Sequence, residues 1–446
     1  MPKIVKTHPG PKTRKYYDLL QQYCPPHPFF SLYENPPVYS EAKGSLVKDP
    51  DGNIFLDFTM GYSSVNMGHC NTKIVEAAYE QMKKLHQTNV QPSIKAIELS
   101  AKLKEISPGN FPKATLFEVG GAGAVEVAMK IARRHTGKNE FITFYGGYHG
   151  RTLGAISLTA GFHYKQGIRP LGSNVWRFPY AYCYRCSYGL EYPDCDMFCT
   201  RFIRDAFKSD SHGICNPRTK ENNIAGLFVE PIQGNAAFVI PPNEFYPRLK
   251  EICNEQNILM IDDEIQMAFG RTGKMFCCEN YNVIPDVLIL GKSLANGMWP
   301  LSAVLASKEF FKESAHTATF LNNPLGCAIG LACVAIIEKE KMCDKALKMG
   351  EYFLKGLNEL KDDHKLIGDV QGKGLALAIE FVKNKRTKEP AVEESDKIRD
   401  LALSKGLIAA KRGYFNNRME LMPALTVTKA QIDRALEILD DSISSV

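Results

Sequence analysis

Asp263 and Lys292 are the residues of this sequence whose type and placement speak most directly of chemistry. Ile258-Leu259-Met260-Ile261 is an apolar run of strand length that ends in two carboxylates, Asp262 and Asp263. Val287-Leu288-Ile289-Leu290 repeats the pattern and ends at Gly291-Lys292. Such runs, apolar on both faces, suit central parallel strands. The active groups of open α/β sheets gather at the carboxyl ends of those strands. A lysine flanked by Gly291, Ser293 and Gly297 has room for a bulky partner. Taken singly, the two residues read as a buried aspartate and a surface lysine at loop starts. Taken together, they are the pair that pyridoxal phosphate requires: a lysine to form the Schiff base and a carboxylate to keep the pyridine nitrogen protonated.

The words around them narrow the choice. Asp263-Glu264-Ile265-Gln266-Met267-Ala268-Phe269-Gly270-Arg271-Thr272-Gly273 and Gly291-Lys292-Ser293-Leu294-Ala295-Asn296-Gly297, followed by Pro300-Leu301, resemble the motifs of the class III (ω-amino acid) aminotransferases. The resemblance covers nearly the whole chain. It implies an α/β enzyme of pyridoxal-phosphate fold type I (aspartate aminotransferase-like), with a mostly parallel seven-stranded sheet and a small C-terminal α+β domain. It implies Lys292 as the Schiff-base lysine, Asp263 as the pyridinium partner and Gln266 as a donor to the cofactor's phenolic oxygen. Tyr148, after a strand at 141–145, fits the aromatic ring laid over the cofactor. His149 reads as a residue that packs and orients that loop, and Glu230 as support near the pyridine-side carboxylate.

The phosphate site is read from local pattern first. A strand-like run at 116–119 enters Gly120-Gly121-Ala122-Gly123, and 124–134 has helical spacing, with Glu126 and Lys130 placed for an i,i+4 pair. A strand, a glycine turn and a helix start favour an anion through free N–H groups and the helix dipole. In register with the family's Gly-Ser-Glu-Ala word, Gly121 and Ala122 supply backbone N–H groups. Ala122 lacks the hydroxyl that many relatives have. The resemblance also sends Thr319 across a dimer interface to the partner's cofactor phosphate, so the expected assembly is a homodimer or a dimer of dimers.

These residues need a large scaffold. The chain has 446 residues, 44% of them hydrophobic and 23% charged, the composition of a globular protein with more than one domain. The expected division is an N-terminal arm and hairpin segment at 1–60, a large cofactor-binding domain at 61–325 and a small domain at 326–446. The arm carries Lys3, Lys6, Lys12, Arg14 and Lys15 and reads as a solvated tail. Asp51-Gly52 supplies the turn of a hairpin at 47–57, while 73–87, 93–106 and 325–360 have helical spacing. A net charge of +6 argues against a dedicated nucleic-acid binder and fits anionic small molecules. No apolar stretch is long enough to span a bilayer and no secretory core stands at the start, so the expected location is cytoplasmic.

Thirteen cysteines then read as reduced thiols. Four of them, Cys183, Cys186, Cys195 and Cys199, have the spacing C-x2-C-x8-C-x3-C, tight enough for one zinc ion or an iron–sulfur cluster of structural role. The first reading is no metal and four thiols in an insertion; the metal is the alternative.

Two departures from the family bear on substrate. Relatives that process α-amino acids and 2-oxoglutarate carry an arginine before the C-terminal Pro-Pro-Leu word, and it forks the substrate carboxylate. Here the segment reads Arg418-Met419-Glu420-Leu421-Met422-Pro423-Ala424-Leu425, and Glu420 holds the arginine's place. The glutamate that parks that arginine in relatives is Asn235. A slip of two residues that puts Arg418 in the role is the alternative alignment. Tyr62, in the loop the family places at the substrate entrance, is the third pocket residue. A carboxylate facing the substrate repels a second one. The expected reaction is therefore transfer of an amino group from a β- or ω-amino donor, led by a β-aminoacyl thioester such as 3-aminobutyryl-CoA, to a 2-oxo acid such as 2-oxoglutarate. The alternative is an amino acid racemase or epimerase of the same family.

Overall fold

The computed structural model describes residues 1–25, 33–169, 171–172, 174–311 and 316–446. Residues 26–32 of the expected arm lie outside them. The chain forms two compact units: one of residues 76–270 and 274–339, the other of residues 1–75, 271–273 and 340–446. The second unit therefore joins stretches that the three-part division by sequence keeps in separate segments.

The first unit is built on a seven-stranded sheet. Its strands run in the order Lys113–Val119, Leu301–Ser307, Val287–Leu290, Leu259–Asp263, Ile224–Val229, Glu140–Phe144, Val175–Phe178. Leu301–Ser307 is antiparallel to both its neighbours, and the remaining pairs are parallel. This is the mostly parallel sheet expected of fold type I. Every residue of Ile224–Val229 and Val287–Leu290 is buried, which is why these strands read as unbroken apolar runs without alternation. The strands of Asp263 and Lys292 are neighbours, with Asp263 opposite Ile289 in the register.

The helix Gly120–Thr136 covers one face of that sheet. Val125, Ala128, Ile131 and Ala132 pack in one cluster with Phe141, Phe228, Ile261 and Val304. The helix stops at Gly137, left-handed at φ 69°, with Arg133, Arg134 and His135 in its last turn against the negative end of the dipole. The expected pair between Glu126 and Lys130 is not made. Glu126 instead accepts the Thr152 hydroxyl at 2.5 Å and the Ala155 N–H at 3.0 Å, two directed donors that outcompete one flexible ammonium. Lys130 turns to the His316 ring, 3.2 Å from Nδ1.

The second unit holds two four-stranded sheets. One contains the hairpin Leu46–Lys48 and Ile54–Asp57, turned at Asp51-Gly52 as the sequence predicts. The basic arm is more than a solvated tail: Pro11–Tyr23 is a helix with proline in its first turn. Asp51 fastens it, accepting the Lys12 N–H at 3.0 Å and the Thr13 N–H and hydroxyl at 2.8 Å each. The other sheet runs Ile367–Lys373, Ala376–Phe381, Arg418–Leu421, Ala410–Arg412. The helix Lys429–Ser444 opens on a capping box between Thr428 and Gln431. Among the described residues, no helix is long and apolar enough to cross a membrane.

Candidate active site

Asp263 ends its strand at 4% exposure. Its Oδ2 lies 2.8 Å from His149 Nδ1, and its Oδ1 accepts the Ile265 N–H at 3.1 Å. His149 is itself fixed: its N–H donates to the Thr159 hydroxyl at 2.8 Å, and its Nε2 lies 3.3 Å from Thr143 Oγ1. Sequence reasoning gave His149 a packing role and missed that its ring sets the orientation of the key carboxylate. The signal was its place next to Tyr148, in the loop after a neighbouring strand. Lys292 follows Gly291 at the next strand end and donates from Nζ to Gln266 Oε1 at 2.7 Å. Its own φ is +42°, a left-handed conformation that costs a residue with a Cβ about 1–3 kcal/mol.

Glu230 connects the loops around this pair. Its two oxygens accept the N–H groups of Tyr148 at 2.8 Å and Gly234 at 2.9 Å. Burial pushes its carboxyl up to about 7; His149 opposes that rise and the Asp263 charge adds to it. Gly234 has a steric reason for its identity, since a Cβ there would run into the Gln266 amide.

The glycine turn lies against the same loop. A Cβ on Gly121 would stand 2.8 Å from Ile265 Cδ1, so the helix start packs directly on the residue that follows Glu264. Ala122 packs toward Gly150, where an added Cβ would stand 2.7 Å from the Ala122 methyl. The loss of a hydroxyl at 122 therefore goes with a close approach to the loop after Tyr148 and His149. The helix Gly120–Thr136 begins four residues earlier than its apolar spacing predicts and includes both Gly121 and Ala122 in its first turn.

Asp262 and Asp263 face opposite ways in the pleat of their strand, and Glu264 is the first residue beyond it. Glu264 accepts the N–H groups of Cys277 at 2.5 Å and Cys278 at 2.7 Å. Burial raises both Asp262 and Glu264. The Glu264 charge raises Asp262 further, while the two N–H groups hold Glu264 to about 7. With Cys278 they bring three potential ligand atoms within 4.8 Å of one another. The Glu264 oxygens already serve two N–H donors, and burial pushes Asp262 toward its neutral form, so this group reads as a hydrogen-bonded part of the core.

The substrate candidates fall in different places. Asn235 Oδ1 accepts the Tyr164 hydroxyl at 2.8 Å, and the Tyr164 ring meets Tyr148 edge-on with centroids 5.4 Å apart. Tyr164 was not singled out by sequence, because its link to Asn235 spans 71 residues. In the second unit Tyr62 is left-handed at φ 57° and lies under the Arg412 guanidinium at 3.9 Å. Glu420 is fully buried in its strand, opposite Ala378 on one side and Ala410 on the other. Arg418 stands opposite Glu380 in the register, and its Nη1 donates to Glu380 Oε2 at 2.6 Å. Thr319 is exposed, and its carbonyl accepts Gln87 Nε2 at 3.0 Å.

A buried carboxylate oriented by an imidazole, a lysine on the adjacent strand end, an amide beside that lysine and a helix start with two small residues form a donor set that fits pyridoxal phosphate. A sequence model described as Aminotransferase class-III matches residues 32–443. The chain is 34% identical to a leucine/methionine racemase of Thermococcus litoralis, over 96% of each chain. It is 34% identical to the 5-aminovalerate aminotransferase DavT of Pseudomonas aeruginosa, over 91% of this chain and 93% of that one. The crystal structure of a Bacillus anthracis aminotransferase superposes with a TM-score of 0.88 at 28% identity, over 98% of this chain and 99% of that one.

Proposed function

The chain belongs to the class III aminotransferases, enzymes that work with pyridoxal phosphate, and from that premise we propose that its amino donor has no free carboxylate beside the reacting carbon and that a 2-oxo acid accepts the amino group. The leading donor is a β-aminoacyl thioester such as 3-aminobutyryl-CoA. The observation that carries this reading is the state of Arg418. Its guanidinium is buried on Glu380, and Glu420, to which the resemblance gives the place of the family's carboxylate-binding arginine, is a buried acid two residues on. Asn235, in place of the residue that parks that arginine, is engaged with Tyr164.

Bound pyridoxal phosphate supplies an electron sink that makes the C–H of the amino-bearing carbon acidic. Asp263 opposes loss of the pyridine proton by its charge, and His149 keeps that carboxylate aimed. Lys292 is the base that takes the proton from the amino-bearing carbon and hands it on, starting from its place beside Gln266. Gly121 and Ala122 would present N–H groups to the phosphate and Tyr148 would cover the ring, while Glu230 fixes the Tyr148 loop. Thr319 completes the site of a partner copy in a homodimer.

A second reading, a racemase or epimerase, is favoured by the likeness to the Thermococcus litoralis racemase over nearly the full length of both chains. There the proton returns to the same carbon from the opposite face and no acceptor is consumed. One experiment separates the two: β-aminoacyl thioesters, amines, ω-amino acids and α-amino acids are each incubated with and without a 2-oxo acid. Carbonyl product and optical purity are then followed. Acceptor-dependent carbonyl product, greatest from thioesters or amines, is the expected result. Loss of optical activity without an acceptor would select the racemase. Free α-amino acids as the best donors would overturn the donor class.

A further inference from the structure

Four cysteines stand around one cavity in a part of the first unit that the chemistry above does not use. Cys183, Cys186, Cys195 and Cys199 all line it, together with the rings of Tyr188 and Phe198. All four are free thiols, neither fully buried nor fully exposed. Cys183 opens the 3-10 turn Cys183–Arg185 and Cys186 follows it, while Cys195 precedes the helix Phe198–Ala206 and Cys199 lies in its first turn. Between them the chain forms only turns, tied close to the cysteines: the Gly189 N–H donates to the Cys186 carbonyl at 3.1 Å, and the Cys195 N–H to the Glu191 carbonyl at 2.8 Å.

The geometry points to a structural metal centre held by the thiolates of Cys183, Cys186, Cys195 and Cys199, filled by zinc or, with sulfide, by iron. On binding a divalent cation, each metal–sulfur bond replaces an S–H bond, the protons pass to solvent and no electron moves. The surroundings suit the negative charge that four thiolates leave after binding one divalent ion. Arg201 donates to the Cys195 carbonyl at 3.2 Å and lies over Phe198, and the Thr200 N–H supports the Cys199 sulfur. No three of the thiols already hold ligand atoms within 4.8 Å of one another, as the acids near Cys278 do. A single ion would draw them inward, whereas a cluster places its irons between them.

The test is metal and acid-labile sulfide analysis of the wild-type protein, expressed with zinc and iron supplied and purified anaerobically, beside Cys183→Ser and Cys195→Ser. About one zinc per chain, or iron with sulfide, is expected in the wild type. At least tenfold less is expected in each variant, with the Schiff-base absorbance of the cofactor unchanged. Where a variant does not fold, the wild type decides alone: stripping with a chelator must lower its melting temperature and expose the cluster thiols to a thiol reagent. Metal at background in the wild type, metal retained in both variants, or a chelator that changes neither melting nor thiol count would overturn the centre.

Discussion

Asp263 in the first unit and Glu380 in the second are both buried carboxylates with one nitrogen partner at short range, His149 Nδ1 at 2.8 Å and Arg418 Nη1 at 2.6 Å. Their settings differ. Asp263 is the last residue of its strand, where the chain turns into a loop. Glu380 lies in Ala376–Phe381, which has a strand on each side. Their partners differ as well. The imidazole holds Asp263 by a single ring nitrogen, whereas the guanidinium is always charged and pairs with Glu380 inside the sheet. The first arrangement keeps an anion usable by an incoming group; the second locks two strands together. A buried carboxylate at the end of its strand stays within reach of an incoming group, whereas one with a strand on each side is confined to holding the sheet.

The largest break of this comparison is at the lysine that Asp263 serves. Lys292→Ala should abolish turnover and the Schiff-base absorbance, read by steady-state assay and visible spectrum; normal activity would remove the cofactor assignment. Arg418→Ala should leave Glu380 buried without its partner and cost about 3–5 kcal/mol of stability, measured by denaturant titration. Donor preference among the molecules that remain folded should not change. Lost carboxylate recognition at full stability would instead show that Arg418 is the substrate fork. Asp263→Asn should keep the fold and lower kcat/KM by at least ~10²-fold, the scale of a lost positioned electrostatic partner. Near-normal kinetics would sink its role. The smallest effect concerns the rebuilt pair: Glu420→Arg with Asn235→Glu should raise the specificity constant for a free ω-amino acid about ten- to hundredfold, the worth of one charge-assisted hydrogen bond. No gain over Glu420→Arg alone would show that Asn235 has no part in it.

The sheet and the placement of Asp263 and Lys292 at neighbouring strand ends were legible because they are local. An apolar run closing on a polar residue marks a buried parallel strand, and two such runs placed Asp263 and Lys292 on neighbouring strands. The links that complete the site were not legible, because they join distant stretches. His149 reaches Asp263 across 114 residues, and Tyr164 reaches Asn235 across 71. The arm helix was missed because its charged residues mask a short pattern, and because what fixes it, Asp51, belongs to a turn 38 residues on from Thr13. The Glu126–Lys130 pair was expected from helix geometry alone and yields to tertiary partners that geometry cannot see. The burial of Arg418 against Glu380 depends on strand register, which sequence alternation narrows but does not determine.

The run of acids at 262–264 constrains the length of its strand. Asp263, opposite Ile289, is the last residue of the strand, and Glu264 just beyond it accepts the N–H groups of Cys277 and Cys278. A one-residue deletion before Asp262 would bring Glu264 to the place of Asp263 and Ile265 to the place of Glu264, turning those two N–H groups toward an apolar side chain. A two-residue deletion would bring Ile265 to the place of Asp263 and take the carboxylate away from the His149 ring. Hydrogen bonding therefore fixes the length of this strand in both odd and even steps, before packing is considered.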